Sequence, residues 1–134
     1  MGIILNHRGT ETQRDPLTEK IIGLGIEVHR VLGPGLLESA YEECLCYELG
    51  KSCINFKRQS PLPVKYKDVQ LDNVYKIDIL IPNLLVIELK TVENILPIHE
   101  AQLLTYLKLS NINKGLLMNF NVPFLKHGIK RFII

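Results

Sequence analysis

Asp78, Glu88 and Lys90 interrupt the most apolar stretch of this chain. It reads Tyr75-Lys76-Ile77-Asp78-Ile79-Leu80-Ile81, breaks at Pro82-Asn83, and resumes as Leu84-Leu85-Val86-Ile87-Glu88-Leu89-Lys90. Runs so rich in Ile, Val and Leu read as strands, and an unpaired charge buried among them costs several kcal/mol. Side chains alternate along a strand with a period of two, so Glu88 and Lys90 share a face. A cation is the usual physical reason to hold two carboxylates at the edge of an apolar sheet. It offsets their repulsion, and a hard ion such as Mg²⁺ takes oxygen ligands.

The hairpin sets a condition on that reading. With a two-residue turn at Pro82-Asn83, Asp78 would lie opposite Ile87, and Glu88 would face the other way. A site shared by Asp78 and Glu88 therefore requires a three-residue loop or a bulge, because a one-residue slip exchanges faces.

At 134 residues the chain has the length of one domain with a real core. Residues 1–14 read as a loose, largely polar arm and residues 15–134 as the domain. A net charge of +2 does not by itself signal a nucleic-acid partner, so any basic surface must be local. No apolar stretch approaches the roughly 18–20 residues of a membrane span, and the start lacks the pattern of a secretory signal. Cys44, Cys46 and Cys53 are odd in number, which points to free thiols in a reducing, cytoplasmic setting. On a helix Cys44 and Cys46 point about 200° apart and do not grip one ion, which argues against zinc.

Asp15-Pro16 is a helix opening, with Asp as N-cap and Pro at the first position. Leu17, Ile21, Leu24, Val28 and Val31 carry the helical spacing to about Leu32, where Gly33-Pro34-Gly35 stops it. A second helix is expected from about Leu37 to Leu49, with Leu37, Tyr41, Cys44, Leu45 and Leu49 on its apolar side and Gly50 as its stop. Residues 53–67 read as one or two short strands broken by Pro61 and Pro63, at an edge or a turn. After the strands of Asp78 and Glu88, Pro97 opens a third helix that ends near Ser110. Asn113-Lys114-Gly115 reads as a turn, Leu116–Phe120 as a buried strand, and residues 129–134 as a last strand.

Four motifs now fall in order on these elements: Gly35-Leu36-Leu37-Glu38-Ser39-Ala40-Tyr41, then Asp78 with Glu88-Leu89-Lys90, then Gln102-Leu103-Leu104-Thr105-Tyr106, then Gly115–Phe120. Together they resemble the GxxExxY family of the PD-(D/E)xK nuclease superfamily, over roughly residues 17–134. Ile77 departs from the proline that gives the superfamily its name. The resemblance implies an α/β restriction-endonuclease-like core: a mixed sheet flanked by helices, in the order αβββαβ with an extra N-terminal helix.

It also implies a nuclease using Mg²⁺ or Mn²⁺ on nucleic acid, DNA in the first instance. Asp78, Glu88 and Glu38 would face the metal, Lys90 the water or the phosphate, and Gln102 would bond to Lys90 or a phosphate beside Tyr106. A domain this small is expected to use a homodimer to grip a duplex. The rival reading is a non-catalytic module on the same fold that binds nucleic acid or a partner protein. Each residue also has an ordinary role: Glu88 and Lys90 as an edge salt bridge, Glu38 as a helix-dipole residue, Gln102 and Tyr106 as helix-face residues. Tyr41 is expected to pack behind the site, and His99 to lie at its rim.

Overall fold

A computed structural model describes residues 15–134; the arm expected over residues 1–14 lies outside them. Helix α1 (Pro16–Leu32) opens as the sequence requires. The Asp15 carboxylate accepts from the Thr18 backbone N–H at 2.7 Å, and Pro16 begins the helix. Gly33 closes it at φ 71°, in the left-handed region that suits glycine.

Helix α2 (Glu38–Lys51) runs two residues past Leu49, so Gly50 lies inside it and is not its stop. Ser52 caps α2, and Cys53 takes the left-handed turn that follows, at φ 58°. Tyr41, Leu45 and Leu49 are buried as expected, but Leu37 is 77% exposed because it precedes the first turn. Val31 is likewise exposed, on the outer side of α1's last turn.

Five strands follow in spatial order β1-β2-β3-β4-β5: β1 (Lys57–Tyr66), β2 (Val69–Ile81), β3 (Leu85–Lys90), β4 (Lys114–Asn119) and β5 (Ile129–Ile133). Pro61 and Pro63 sit within one edge strand, where a missing N–H is tolerated, and the β1–β2 register shifts between Leu62 and Val64, across Pro63. Helix α3 (Pro97–Ser110) connects β3 to β4, which pair in parallel, while the other neighbours pair antiparallel. Lys114 and Gly115 already belong to β4 and not to a turn. Leu125–Gly128 forms a 3₁₀ turn that the sequence did not announce.

The sheet carries two apolar layers. Ile79, Ile81, Ile87 and Leu89 pack with α1 and α2 in one. Val86, Leu117, Leu103, Tyr106 and Leu107 form the other, under α3. Gly115 lets α3 approach: a Cβ there would stand 3.1 Å from the Leu103 and Leu107 methyl groups. The result is the α/β architecture with a mixed sheet that the element order implied.

Candidate active site

The loop between β2 and β3 is Pro82-Asn83-Leu84, three residues long, with Asn83 left-handed at φ 65°. The register is Ile81↔Leu85, Leu80↔Val86 and Ile79↔Ile87, and there the ladder ends. Asp78 and Glu88 come next. Glu88 Oε2 accepts a hydrogen bond from the Asp78 backbone N–H, and Asp78 Oδ2 accepts one from the Leu89 N–H, each at 2.9 Å. Two backbone donors are thus satisfied by side-chain carboxylates, and the acids converge where the two strands stop pairing.

Lys90 follows Glu88 by one pleat. Its Nζ lies 3.5 Å from Gln102 Oε1, at the outer limit of a hydrogen bond, and Gln102 Nε2 donates to the Tyr106 hydroxyl at 3.0 Å. The i, i+4 spacing of Gln102 and Tyr106 on α3 makes that relay possible. Behind Lys90, buried Asn119 clamps the chain: its Oδ1 accepts from Val92 N–H and its Nδ2 donates to the Val92 carbonyl. His99 has a local role: its Nδ1 accepts from the Leu96 N–H and caps α3.

Glu38 enters from α2. The Gly33–Gly35 loop turns the chain toward the sheet, and Tyr41 fixes that loop by donating to the Gly33 carbonyl and accepting from the Leu36 N–H. Tyr41 also stacks on Phe120, with ring centroids 4.5 Å apart, so it is packed behind the site as expected. Glu38 lies close enough to Asp78 and Lys90 for their charges to bear on it.

Three neighbours escaped the sequence reading. Glu42, one turn after Glu38, is buried and ion-paired to Arg58 at 2.6 Å. Gln59 Nε2 reaches both Glu42 oxygens, at 2.9 and 3.1 Å, and Asp78 Oδ1 at 3.2 Å. Glu42 could have been found as the acid four residues beyond Glu38, on the buried side of α2. Gln59 left no signal, because its reach depends on a left-handed backbone (φ 51°) near the start of an edge strand.

Burial pushes the Glu88 carboxyl up to about 8, with the Asp78 charge adding to it. Burial also raises Asp78, and it raises Glu38 with help from the Asp78 charge. These acids are held where ionisation is costly, which is the condition a bound cation relieves. Among the described residues no group of three or more His, Cys, Asp or Glu is drawn together tightly enough to hold a metal, so Glu38 does not close a three-residue set with Asp78 and Glu88. The paired carboxylates alone still fit Mg²⁺, which commonly takes one or two protein carboxylates and keeps several waters.

A split strand pair with acids at its mouth, under a crossover helix, is the architecture of a restriction-endonuclease-like protein. The model of the PD-(D/E)XK nuclease superfamily matches residues 15–132, and the chain belongs to that superfamily. No curated protein and no solved structure matches it. No helix among the described residues is long and apolar enough to cross a membrane.

Proposed function

We propose that this protein is a GxxExxY-type nuclease that hydrolyses phosphodiester bonds with Mg²⁺ or Mn²⁺, acting on DNA. The observation that carries the reading is the convergence of Asp78 and Glu88 at the end of the β2–β3 ladder, with Lys90 one pleat away. Asp78 and Glu88 would hold the ion, with a backbone carbonyl of Ile87 or Leu89, and Glu38 would face it through water. When bound, such an ion lowers the pKa of a water and neutralises charge on the phosphate. Lys90 orients that water or stabilises the phosphoryl oxygens, and Gln102 holds the ammonium in place. Exposed Lys57 and Lys65 on β1, Lys67 in the turn that follows and Lys76 on β2 supply a local basic surface for the nucleic-acid backbone, and a homodimer would extend it. Free Cys44, Cys46 and Cys53 suit a reducing, cytoplasmic setting.

The alternative is a non-catalytic binding module. It is favoured by the two carboxylate-to-backbone bonds, which let the acids brace the strand split with no ion at all. Incubation with labelled single- and double-stranded DNA and RNA, in Mg²⁺, Mn²⁺ or EDTA, decides between them. Metal-dependent cleavage that Asp78→Ala abolishes supports the nuclease; binding without cleavage in any metal supports the module.

A further inference from the structure

Beside the acids, α3 and the β1–β2 ribbon leave a groove of about 280 Å³ that folding does not fill. Its walls include Tyr75, Ile98, Ala101, Gln102, Thr105, Tyr106 and Leu109, and among the described residues no charged side chain lines it. Tyr75, Ile98 and Leu109 remain 42%, 68% and 45% exposed, an apolar cluster left open to water. The Tyr75 ring stands edge-on to Tyr106, centroids 6.5 Å apart at 66°.

Two of these residues also belong to the candidate active site. Tyr106 accepts from Gln102, and Gln102 faces Lys90, so one side chain, Gln102, separates the groove from the ammonium. We infer that the groove is a subsite for one unpaired nucleobase next to the phosphate handled at Asp78 and Glu88, which makes single-stranded nucleic acid the substrate class. This rests on the nuclease reading above.

The chemistry argues for a base and against backbone. With no cation in its walls the groove offers nothing to a phosphate, whereas a base brings a flat face and a polar rim. The face stacks on the Tyr75 ring, and the rim meets the Gln102 amide and the Thr105 hydroxyl. Aromatic platforms of this kind hold bases with little regard to sequence. A base inside an intact duplex is stacked and paired and cannot enter, so the groove selects for a strand already unpaired.

The test measures binding of a labelled oligonucleotide, single-stranded or as the same sequence in duplex, to full-length protein in Ca²⁺. Wild type is compared with Tyr75→Ala, which removes the stacking face, and Ala101→Trp, which fills the groove. Mg²⁺ affinity and melting temperature report whether each variant keeps its fold and its acids. The expected result is tighter binding of the single strand, weakened about tenfold in both variants, with duplex binding and Mg²⁺ affinity unchanged. An abasic site at one position of the strand should mimic the loss. Single-strand binding that survives both variants overturns the subsite and leaves the nuclease reading standing. No binding of either nucleic acid by wild type overturns both.

Discussion

The two ends of the β2–β3 hairpin are made of the same two strands and solve opposite problems. At the turn end Ile79, Ile81, Leu85 and Ile87 are fully buried and pair in unbroken register. One residue further on, the ladder stops, and the carboxylates of Asp78 and Glu88 take over two backbone N–H groups. The apolar end fixes the geometry and the acidic end exploits it. Strand pairing is worth most where nothing else is asked of the residues; where chemistry is placed, the chain gives up ladder bonds and carries buried charge.

The comparison breaks most directly at the apolar end. Ile87→Ala should cost about 2–5 kcal/mol, the range for deleting a fully buried branched side chain, read as a lower urea midpoint at any pH. Glu88→Gln, its immediate neighbour in sequence, should move stability the other way and raise the midpoint of the metal-free protein. Two adjacent substitutions of opposite sign would establish that the hairpin has two functions; two losses of similar size would mean that Glu88 is structural.

The acidic end is sharpened by pH. Glu88 binds its proton more tightly folded, at about 8, than unfolded, near 4.5. Its carboxyl therefore weighs least on the fold below pH 4.5, and stability falls as pH rises from there through about 8, by an amount on the order of a few kcal/mol. Asp78 and Glu38, also raised, act in the same direction. Melting temperatures of metal-free protein between pH 5 and 8.5 should decline, and Glu88→Gln should flatten the curve. A flat wild-type curve would remove the electrostatic cost assigned to this site.

Much of this was legible before any coordinates. Charged residues inside apolar β runs located the acids, and the parity of the strand demanded a three-residue loop or a bulge, of which Pro82-Asn83-Leu84 supplies the loop. Asp15-Pro16 and Pro97 marked two helix starts because capping is local chemistry. Gly50 misled because its freedom permits a stop without requiring one, and the helix kept its hydrogen bonds for one more residue. Glu42, Arg58 and Gln59 were hidden because their meaning is tertiary. A polar residue on an edge strand looks solvated until the fold sets it between two acids.

Metal binding should separate the ends further. A cation that binds only the folded acids raises stability by RT ln(1 + [L]/Kd), about 2.7 kcal/mol at a hundredfold excess over Kd. Asp78→Asn should slightly raise the melting temperature of the metal-free protein by removing like-charge repulsion, and should abolish both the Mg²⁺ shift and cleavage. If Asp78→Asn destabilises and Mg²⁺ shifts neither protein, the acids serve as struts and the binding module is the better reading.

The smallest effect tests how Asp78 is held. Gln59 adopts φ 51°, a left-handed conformation that costs a side-chain-bearing residue about 1–2 kcal/mol, and from there its amide reaches Glu42 and Asp78. Gln59→Ala keeps the backbone cost and loses the amide. Gln59→Gly loses the amide and relieves the backbone, offset in part by the greater freedom of glycine in the unfolded chain. The glycine variant should thus be the more stable of the two by about 1 kcal/mol, while both bind Mg²⁺ equally and more weakly than wild type. Calorimetric titration with Mg²⁺ beside urea melts distinguishes the two terms. Wild-type affinity in the alanine variant would show that Asp78 needs no amide to hold it, and equal stability of the two variants would show that the left-handed turn at Gln59 costs nothing.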